Sequence, residues 1–242
     1  MSDRDRAFPR SLAHQDRAEL GGRFSVLARQ KADHRRLDEL LAELDRTEPA
    51  RQDDVLRRIH RLVFPHAFAE ESVLWPVLRR TLPDGERLTL RIEQEHQEVN
   101  ELVTRLEALG VHDPARPGTL RRLAAVLRED VRDEEDELLP ELQERATTGQ
   151  LQRLGLAWEL VRRVAPTRAH PVVARRPPGN VLAALPLSVV DRTRDRVDLV
   201  LQHRPTWFAP VLRWASRRLR AVSHQLERLP VMRLGEDPST GR

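Results

Sequence analysis

The feature that most constrains this chain is a pattern that occurs twice, with corresponding residues 64 positions apart. The first copy reads HAFAEESVLWP at 66–76 and the second reads DVRDEEDELLP at 130–140. Asp130 stands where the first copy has His66, and Glu134 stands where it has Glu70. Side chains four residues apart on a helix lie about 40° from each other around its axis, so both can reach one point. The pattern therefore predicts two helices that each direct a pair of polar side chains at the same place.

Four stretches with apolar residues at helical spacing predict the scaffold that carries these pairs. They cover residues 18–44, 51–80, 86–109 and 119–144, and short loops rich in Pro, Asp and Gly separate them. Pro65 is predicted to kink the second helix, because it has no N–H for the carbonyl four residues earlier. Four amphipathic helices with short loops predict an all-α fold, an up-down-up-down four-helix bundle.

Polar residues interrupt the apolar stripe on all four predicted helices. Three carboxylates facing one core would each cost several kcal/mol (roughly 3–5) without a partner. A pair of metal ions would supply that partner, and a set of imidazoles and carboxylates without thiolates favours iron or manganese. The predicted metal ligands are His34, His66, Glu70, His96, Asp130 and Glu134.

The remaining histidines and the second glutamate of each pattern are not predicted as ligands. Glu71 and Glu135 are rotated about 100° from their neighbours and are expected to face solvent or to support the ligands. His60 lies about 120° around the helix from His66. The histidines predicted to lie at the surface are His14, His112, His170, His203 and His224.

The order His-x-x-x-Glu differs from the Glu-x-x-His of ferritin-like dimetal bundles. It resembles the bacterial hemerythrin-like, or HHE cation-binding, family over roughly residues 18–146, and so does the spacing from each Glu-Glu pair to the following proline. The resemblance implies a non-haem di-iron site held by His34, by His66 with Glu70, by His96 and by the fourth-helix pair. It also implies O₂, peroxide or nitric oxide as small ligands.

The chain departs from the family at two positions. Asp130 replaces the fourth-helix histidine, so either the site persists with one more oxygen ligand, or one metal position is weak or lost. Extra carboxylate would favour the oxidised metal and fit oxidase, peroxidase or sensing chemistry better than oxygen carriage. Asn100 stands where oxygen-carrying members place a further histidine, which argues against a carrier site with five histidines.

Charge divides the chain into an acidic first part and a basic last part. Residues 147–242 contain 17 Arg and 7 acidic residues, a net +10, whereas residues 1–146 carry a net −6. We expect a flexible arm at 1–17, the bundle at 18–146, a short helix and Pro/Arg-rich linker at 147–180, basic amphipathic helices at 181–230 and a flexible tail at 231–242. The basic helices could dock on the acidic bundle, pair with another subunit or a protein partner, lie on an anionic membrane or contact nucleic acid; docking on a protein surface is favoured and nucleic acid is disfavoured.

These observations give a functional expectation with alternatives. We expect a metal-binding protein that handles or senses O₂, peroxide or nitric oxide; a non-enzymatic regulatory module and a degenerate, metal-free bundle are the alternatives. With no cysteine, no apolar run of about 20 residues and no secretory leader, the chain is expected to be cytoplasmic.

Overall fold

The computed structural model describes residues 10–203 and 207–240, and no strand occurs in these ranges. The predicted all-α class and four-helix bundle are confirmed. The elements of the bundle are α1 (Val26–Arg46), α2 (Gln52–Ala69), a π-helical segment (Glu70–Leu74), α3 (Trp75–Thr81), α4 (Gly85–Ala108), α5 (Arg116–Asp133), a second π-helical segment (Glu134–Leu138) and α6 (Leu139–Arg145).

Each copy of the sequence pattern contains one of the π-helical segments. The backbone N–H of Trp75 donates to the carbonyl of Glu70, five residues earlier, and the N–H of Leu139 donates to Glu134 in the same way. Pro76 and Pro140 follow directly; proline lacks an N–H and its ring clashes with the carbonyl four residues earlier, which favours a wider turn at this point. Helix α2 contains Pro65 within its length, and the kink predicted there stays a prediction.

Two apolar clusters fill the bundle, one on each side of a polar layer. One cluster contains Val26 and Leu27 of α1, together with Leu138 and Leu139 where the second π-helical segment meets α6. The other contains residues from the opposite ends of these helices, such as Leu40 and Leu123. The order of the clusters reverses from each long helix to the next, as the up-down-up-down topology requires. All six predicted ligands lie in the layer between them.

A further helix, α7 (Thr148–Val164), packs against α1 and α2. It starts at a capping box in which the Thr147 side chain accepts from the N–H of Gln150 and the Gln150 side chain accepts from the N–H of Thr147. The approach to the bundle is close: a Cβ at Gly155 would lie 2.0 Å from the carbonyl oxygen of Phe24. This helix therefore covers one face of the bundle.

Two long helices, α8 (Gly179–His203) and α9 (Ala209–Glu227), pack mainly against each other. Ion pairs attach this extension to the bundle. Arg168, in the segment before α8, contacts Asp195 and Asp198 of α8 at 2.8 and 2.7 Å and reaches Glu107 of α4 at 3.8 Å. Arg176 reaches Glu93 of α4 at 2.8 Å. Charge therefore holds the basic extension against the acidic bundle.

Several helix bounds differ from those predicted. The first helix begins at Val26, since residues 16–22 form turns in which Gly21 and Gly22 adopt φ of 86° and 85°. Helix α8 begins at Gly179, near the end of the predicted linker at 147–180. Residues 231–240, predicted as a flexible tail, include the buried Met232, whose carbonyl accepts from the N–H of Ala174. Residues 1–9 and 241–242 of the predicted arm and tail lie outside the described residues.

No helix within the described ranges is both long enough and apolar enough to span a membrane.

Candidate metal centre

The structure brings the six predicted ligands together in two overlapping groups. His34, His66, Glu70 and Glu134 offer ligand atoms that all lie within 4.8 Å of one another. We call this group position A. The second group, position B, consists of His96, Asp130 and Glu134, at the same spacing. Glu134 belongs to both groups, so the arrangement suits two cations that share one carboxylate.

The second glutamate of each pattern supports a histidine on another helix. Glu135 accepts from Nδ1 of His34 at 2.8 Å, and Glu71 accepts from Nδ1 of His96 at 2.9 Å. Both carboxylates are buried, since the wide π turns let two consecutive residues face the interior. Of the two orientations left open for Glu71 and Glu135, the structure has the supporting one. Each contact fixes a ring and leaves Nε2 directed at the centre.

Position A has further support from residues that were not predicted. Asp33 lies 3.3 Å from Nδ1 of His66, and the amide of Gln30 donates to Glu70 at 2.6 Å. Trp158 of α7 packs edge-on against His66 with ring centroids 5.3 Å apart. The only sequence signal that could have suggested Asp33 as a supporting residue is its position directly before His34.

Position B lacks a contact equivalent to that between Asp33 and His66. Glu95 precedes His96 as Asp33 precedes His34, but the residue opposite it is Asp130. Burial, and then the charges of Asp130 and Asp133, raise the pKa of Glu95 to about 8. One carboxylate oxygen of Glu95 is buried with no hydrogen-bond partner among the described residues. Glu95 therefore has no imidazole to orient, because residue 130 of position B is an aspartate.

The charges of the cluster shift its pKa values strongly. Burial disfavours charged His34, but the carboxylates of Glu134 and Glu135, 3.1 and 2.8 Å from its two ring nitrogens, outweigh this and raise its pKa to about 9. The pKa of His96 is raised well above its ordinary value, since Asp130 and Glu71 outweigh burial. Burial, followed by the charges of Glu70 and Asp130, raises the pKa of Glu134 to about 7. The layer is rich in carboxylate and attracts cations.

The donor atoms of this layer fit a metal centre. Five of its buried atoms make no hydrogen bond of ordinary geometry in the described part of the chain, although His34 Nε2 lies 3.1 Å from Glu134 Oε2: they are His34 Nε2, Glu70 Oε2, Asp130 Oδ1 and both carboxylate oxygens of Glu134. Buried polar atoms without partners are rare and costly. Their convergence in one place, with nitrogen and oxygen donors only, suits a metal cation.

A narrow cavity of about 20 Å³ adjoins the two positions. It is bounded on one side by His34, His66, His96 and Asp130, and on the other by apolar side chains that include Leu37 and Leu127. This volume exceeds the 10–15 Å³ that one water requires. The cavity therefore has room for about one water-sized molecule beside residues of both positions.

The prediction that His170 lies at the surface is wrong. It is 6% exposed, with Nε2 3.0 Å from Asp191 of α8 and Nδ1 3.1 Å from Glu227 of α9. Its backbone N–H donates to the side-chain oxygen of Asn100 at 2.8 Å. Its two carboxylate partners are distant in sequence, so the spacing of neighbouring residues could not reveal them. His14, His112 and His224 are exposed, as predicted; the side chain of His203 lies outside the described residues.

Comparison with known proteins adds a family and one relative. The family described as Hemerythrin HHE cation binding domain matches residues 25–142. A DNA nickase from Nostoc sp. (strain PCC 7120) is 26% identical over 124 residues, which cover 51% of this chain and 35% of the relative. The chain thus spans about a third of the relative's length. No solved structure matches the chain.

Proposed function

Because residues 25–142 belong to the hemerythrin HHE cation-binding family, we propose that the protein holds two non-haem iron ions, or manganese, and reacts with O₂, peroxide or nitric oxide in oxidative-stress handling or sensing. The observation that carries the proposal is the pair of ligand groups that share Glu134. His34, His66 and Glu70 would hold the metal at position A, and His96 and Asp130 would hold the metal at position B.

The roles of the protein residues follow from their contacts. Iron or manganese in these groups would supply the electron exchange and polarisation that a small oxygen species needs. Glu71, Glu135 and Asp33 orient the imidazoles through their outer nitrogens. The apolar wall of the cavity admits a small molecule and excludes bulk water.

A regulatory role is supported by a physical link between this layer and the extension. Asn100 lies one helical turn after His96, donates to the His96 carbonyl at 2.8 Å and accepts from the N–H of His170. His170 in turn contacts both α8 and α9. A rearrangement of α4 at the centre would therefore reach the extension directly. DNA nicking is not proposed, because the match covers only 35% of the nickase.

The proposal is tested by loading the purified chain with ferrous ion anaerobically and then adding O₂, peroxide or nitric oxide in turn. We expect bound iron and absorption bands that develop with at least one of these molecules. The variant Glu134→Gln should lose both the iron and the bands, whereas the exposed His112→Asn should keep them. A wild-type chain that binds no iron, or iron-dependent bands that persist in Glu134→Gln, would refute it.

A further inference from the structure

A second cavity, of about 280 Å³, lies between the bundle and the extension. Its walls come from α2, the end of α4 and the start of α5 on one side, and from residues 167–168, α8 and α9 on the other. The volume lies close to the lower end of the ~300–1,000 Å³ range of small-molecule sites. We call this space the interdomain cavity.

Arginine dominates the lining of the interdomain cavity. Its six arginines are Arg57, Arg61, Arg116, Arg168, Arg194 and Arg220. Four acidic residues face them, Asp53, Glu107, Asp195 and Asp198, so the formal charge of the lining is +2. Arginine carries a fork of N–H donors that matches the oxygen atoms of a phosphate or carboxylate group.

Three buried nitrogen atoms of the lining have no hydrogen-bond partner among the described residues: His60 Nε2, Arg116 Nε and Arg194 Nε. Arg116 is only 3% exposed, and its NH2 group is taken by Asp53. Arg194 has its acidic neighbours at long range, with Glu107 at 3.7 Å and Asp198 at 3.8 Å. Buried donors without acceptors are costly, and the three residues that carry them line the same cavity.

The surroundings of His60 and Arg194 agree with a demand for negative charge. Burial is the main cause that lowers the pKa of His60 to about 4, so the ring is neutral and can donate or accept one hydrogen bond. Burial and then the charge of Arg168 lower the pKa of Arg194, whose neighbour Arg220 adds to the effect. Three arginines, Arg168, Arg194 and Arg220, thus lie close together and share the carboxylate of Glu107.

We propose that the interdomain cavity binds a phosphate dianion, either inorganic phosphate or the phosphate group of a small phosphomonoester. A phosphate monoester carries about −1.5 to −2 charges at neutral pH, which balances the excess of the lining, and its oxygens accept from several N–H groups at once. Bound phosphate would also bridge α2, α5 and α8, and so fasten the extension to the bundle. The proposal is independent of the metal centre.

The test is calorimetric titration of the full-length chain, prepared without added metal, at constant ionic strength in chloride buffer. The ligands are inorganic phosphate, glycerol 3-phosphate, the dicarboxylate succinate and uncharged glycerol. We expect saturable binding of phosphate or glycerol 3-phosphate, at least tenfold weaker binding of succinate and none of glycerol. Tighter binding of glycerol 3-phosphate than of phosphate would identify a phosphomonoester as the ligand; the reverse would identify inorganic phosphate.

Variants locate the binding. Arg194→Gln should weaken phosphate binding at least tenfold, whereas Arg196→Gln, an exposed residue two positions along the same helix and outside the cavity, should leave it unchanged. Arg61→Gln provides a second variant. Arg61 is half-exposed and its contact with Asp195 is long, at 3.9 Å, so the change leaves the buried pairs intact and should weaken phosphate binding several-fold.

Either of two results would overturn the proposal. One is the absence of saturable binding for both phosphate compounds. The other is binding that survives both Arg194→Gln and Arg61→Gln, which would place the anion elsewhere, for example at residual metal in the bundle centre. Amide exchange gives an independent readout: bound phosphate should slow exchange in α8 around residues 194–198, and unchanged exchange there would contradict a bridge between the two regions.

Discussion

The two halves of the bundle repeat the same layout and differ in how completely they carry it out. In the first half, Asp33 orients His66, Gln30 holds Glu70, and α7 covers the imidazole with Trp158. In the second half, Asp130 occupies the place of the imidazole, Glu95 has lost the ring it would orient, and Ile92 stands where Gln30 stands in the first. The supporting contacts of position A are therefore more complete than those of position B.

This difference separates the scaffold of the site from its ligands. Both halves retain the π turn, the buried glutamate pair and the proline, and both use the second glutamate to fix a histidine of the opposite pair. The second half differs in one ligand, Asp130 in place of a histidine, and in the contacts to that ligand. We infer that position A binds metal more tightly than position B, and that both depend on Glu134.

The largest effect is expected from Glu134→Gln, because this carboxylate belongs to both groups. The amide has one fewer ligating oxygen and no charge, so metal affinity should fall at both positions by more than about 100-fold, beyond the 10–100-fold typical of supporting residues. Elemental analysis of the purified variant measures the loss. Glu137→Gln, an exposed residue of the same π turn, is the matched control and should bind as wild type does.

The supporting glutamates should act separately on the two positions. Glu135→Gln should weaken position A and Glu71→Gln position B, each by roughly 10–100-fold, because each residue fixes one histidine. Metal titration monitored by the NMR signals of His34 and His96 distinguishes them. Equal losses at both positions in either variant would show that the two halves do not act independently.

Asp130→His should make the second half resemble the first. The new imidazole would face Glu95 as His66 faces Asp33, and removal of a negative ligand should raise the reduction potential of bound iron by about 60 mV for each tenfold change in the relative affinity for its two oxidation states. Spectroelectrochemistry measures the shift. An unchanged potential would show that Asp130 does not influence the metal, and the added change Glu95→Ala should reduce any gain in affinity.

The smallest effect concerns Asp33 and Glu95 in the chain stripped of metal. Glu95 releases its proton near pH 4.5 when unfolded but near pH 8 when folded, so between these values the folded chain binds the extra proton and stability falls as pH rises. Glu95→Gln removes this pH-dependent loss of stability. The variant's gain in stability over the wild type should therefore be about 1 kcal/mol larger at pH 9 than at pH 5. The effect is small because solvent screens the half-buried group.

Asp33 should behave in the opposite way. The charge of His66 and a hydrogen bond from it outweigh burial and lower the pKa of Asp33, so its contribution is present above pH 3.8 and lost as pH falls through the folded pKa. Asp33→Asn should therefore destabilise the chain at neutral pH. Urea unfolding of both variants at pH 5, 7 and 9 checks the two signs, and the same sign for both would contradict the comparison.

The fold and the convergence of six side chains could be predicted because both depend on helical periodicity. Residues such as His34 and His96 interrupt an apolar stripe, and that interruption is visible in the sequence. The orientation of Glu71 and Glu135 could not be decided, because an ideal α-helix separates them from their neighbours by about 100° and only the wider π turn brings both inward.

The partners of the extension could not be predicted either. The contacts of His170, Arg168 and Arg194 join segments that are 20 to 90 residues apart in sequence, and no local pattern records them. Net charge indicated correctly that a basic region follows an acidic one. It did not indicate which arginines are buried, or that three residues with an unpartnered nitrogen line one cavity.

Two unequal metal positions that share Glu134 are tested most directly by calorimetric titration of the metal-free chain with ferrous ion under anaerobic conditions. We expect two resolved binding events, the tighter one weakened by Glu135→Gln, the weaker one weakened by Glu71→Gln, and both abolished by Glu134→Gln. No binding, or a single event that Glu134→Gln leaves intact, would contradict a centre in which two unequal positions share one carboxylate.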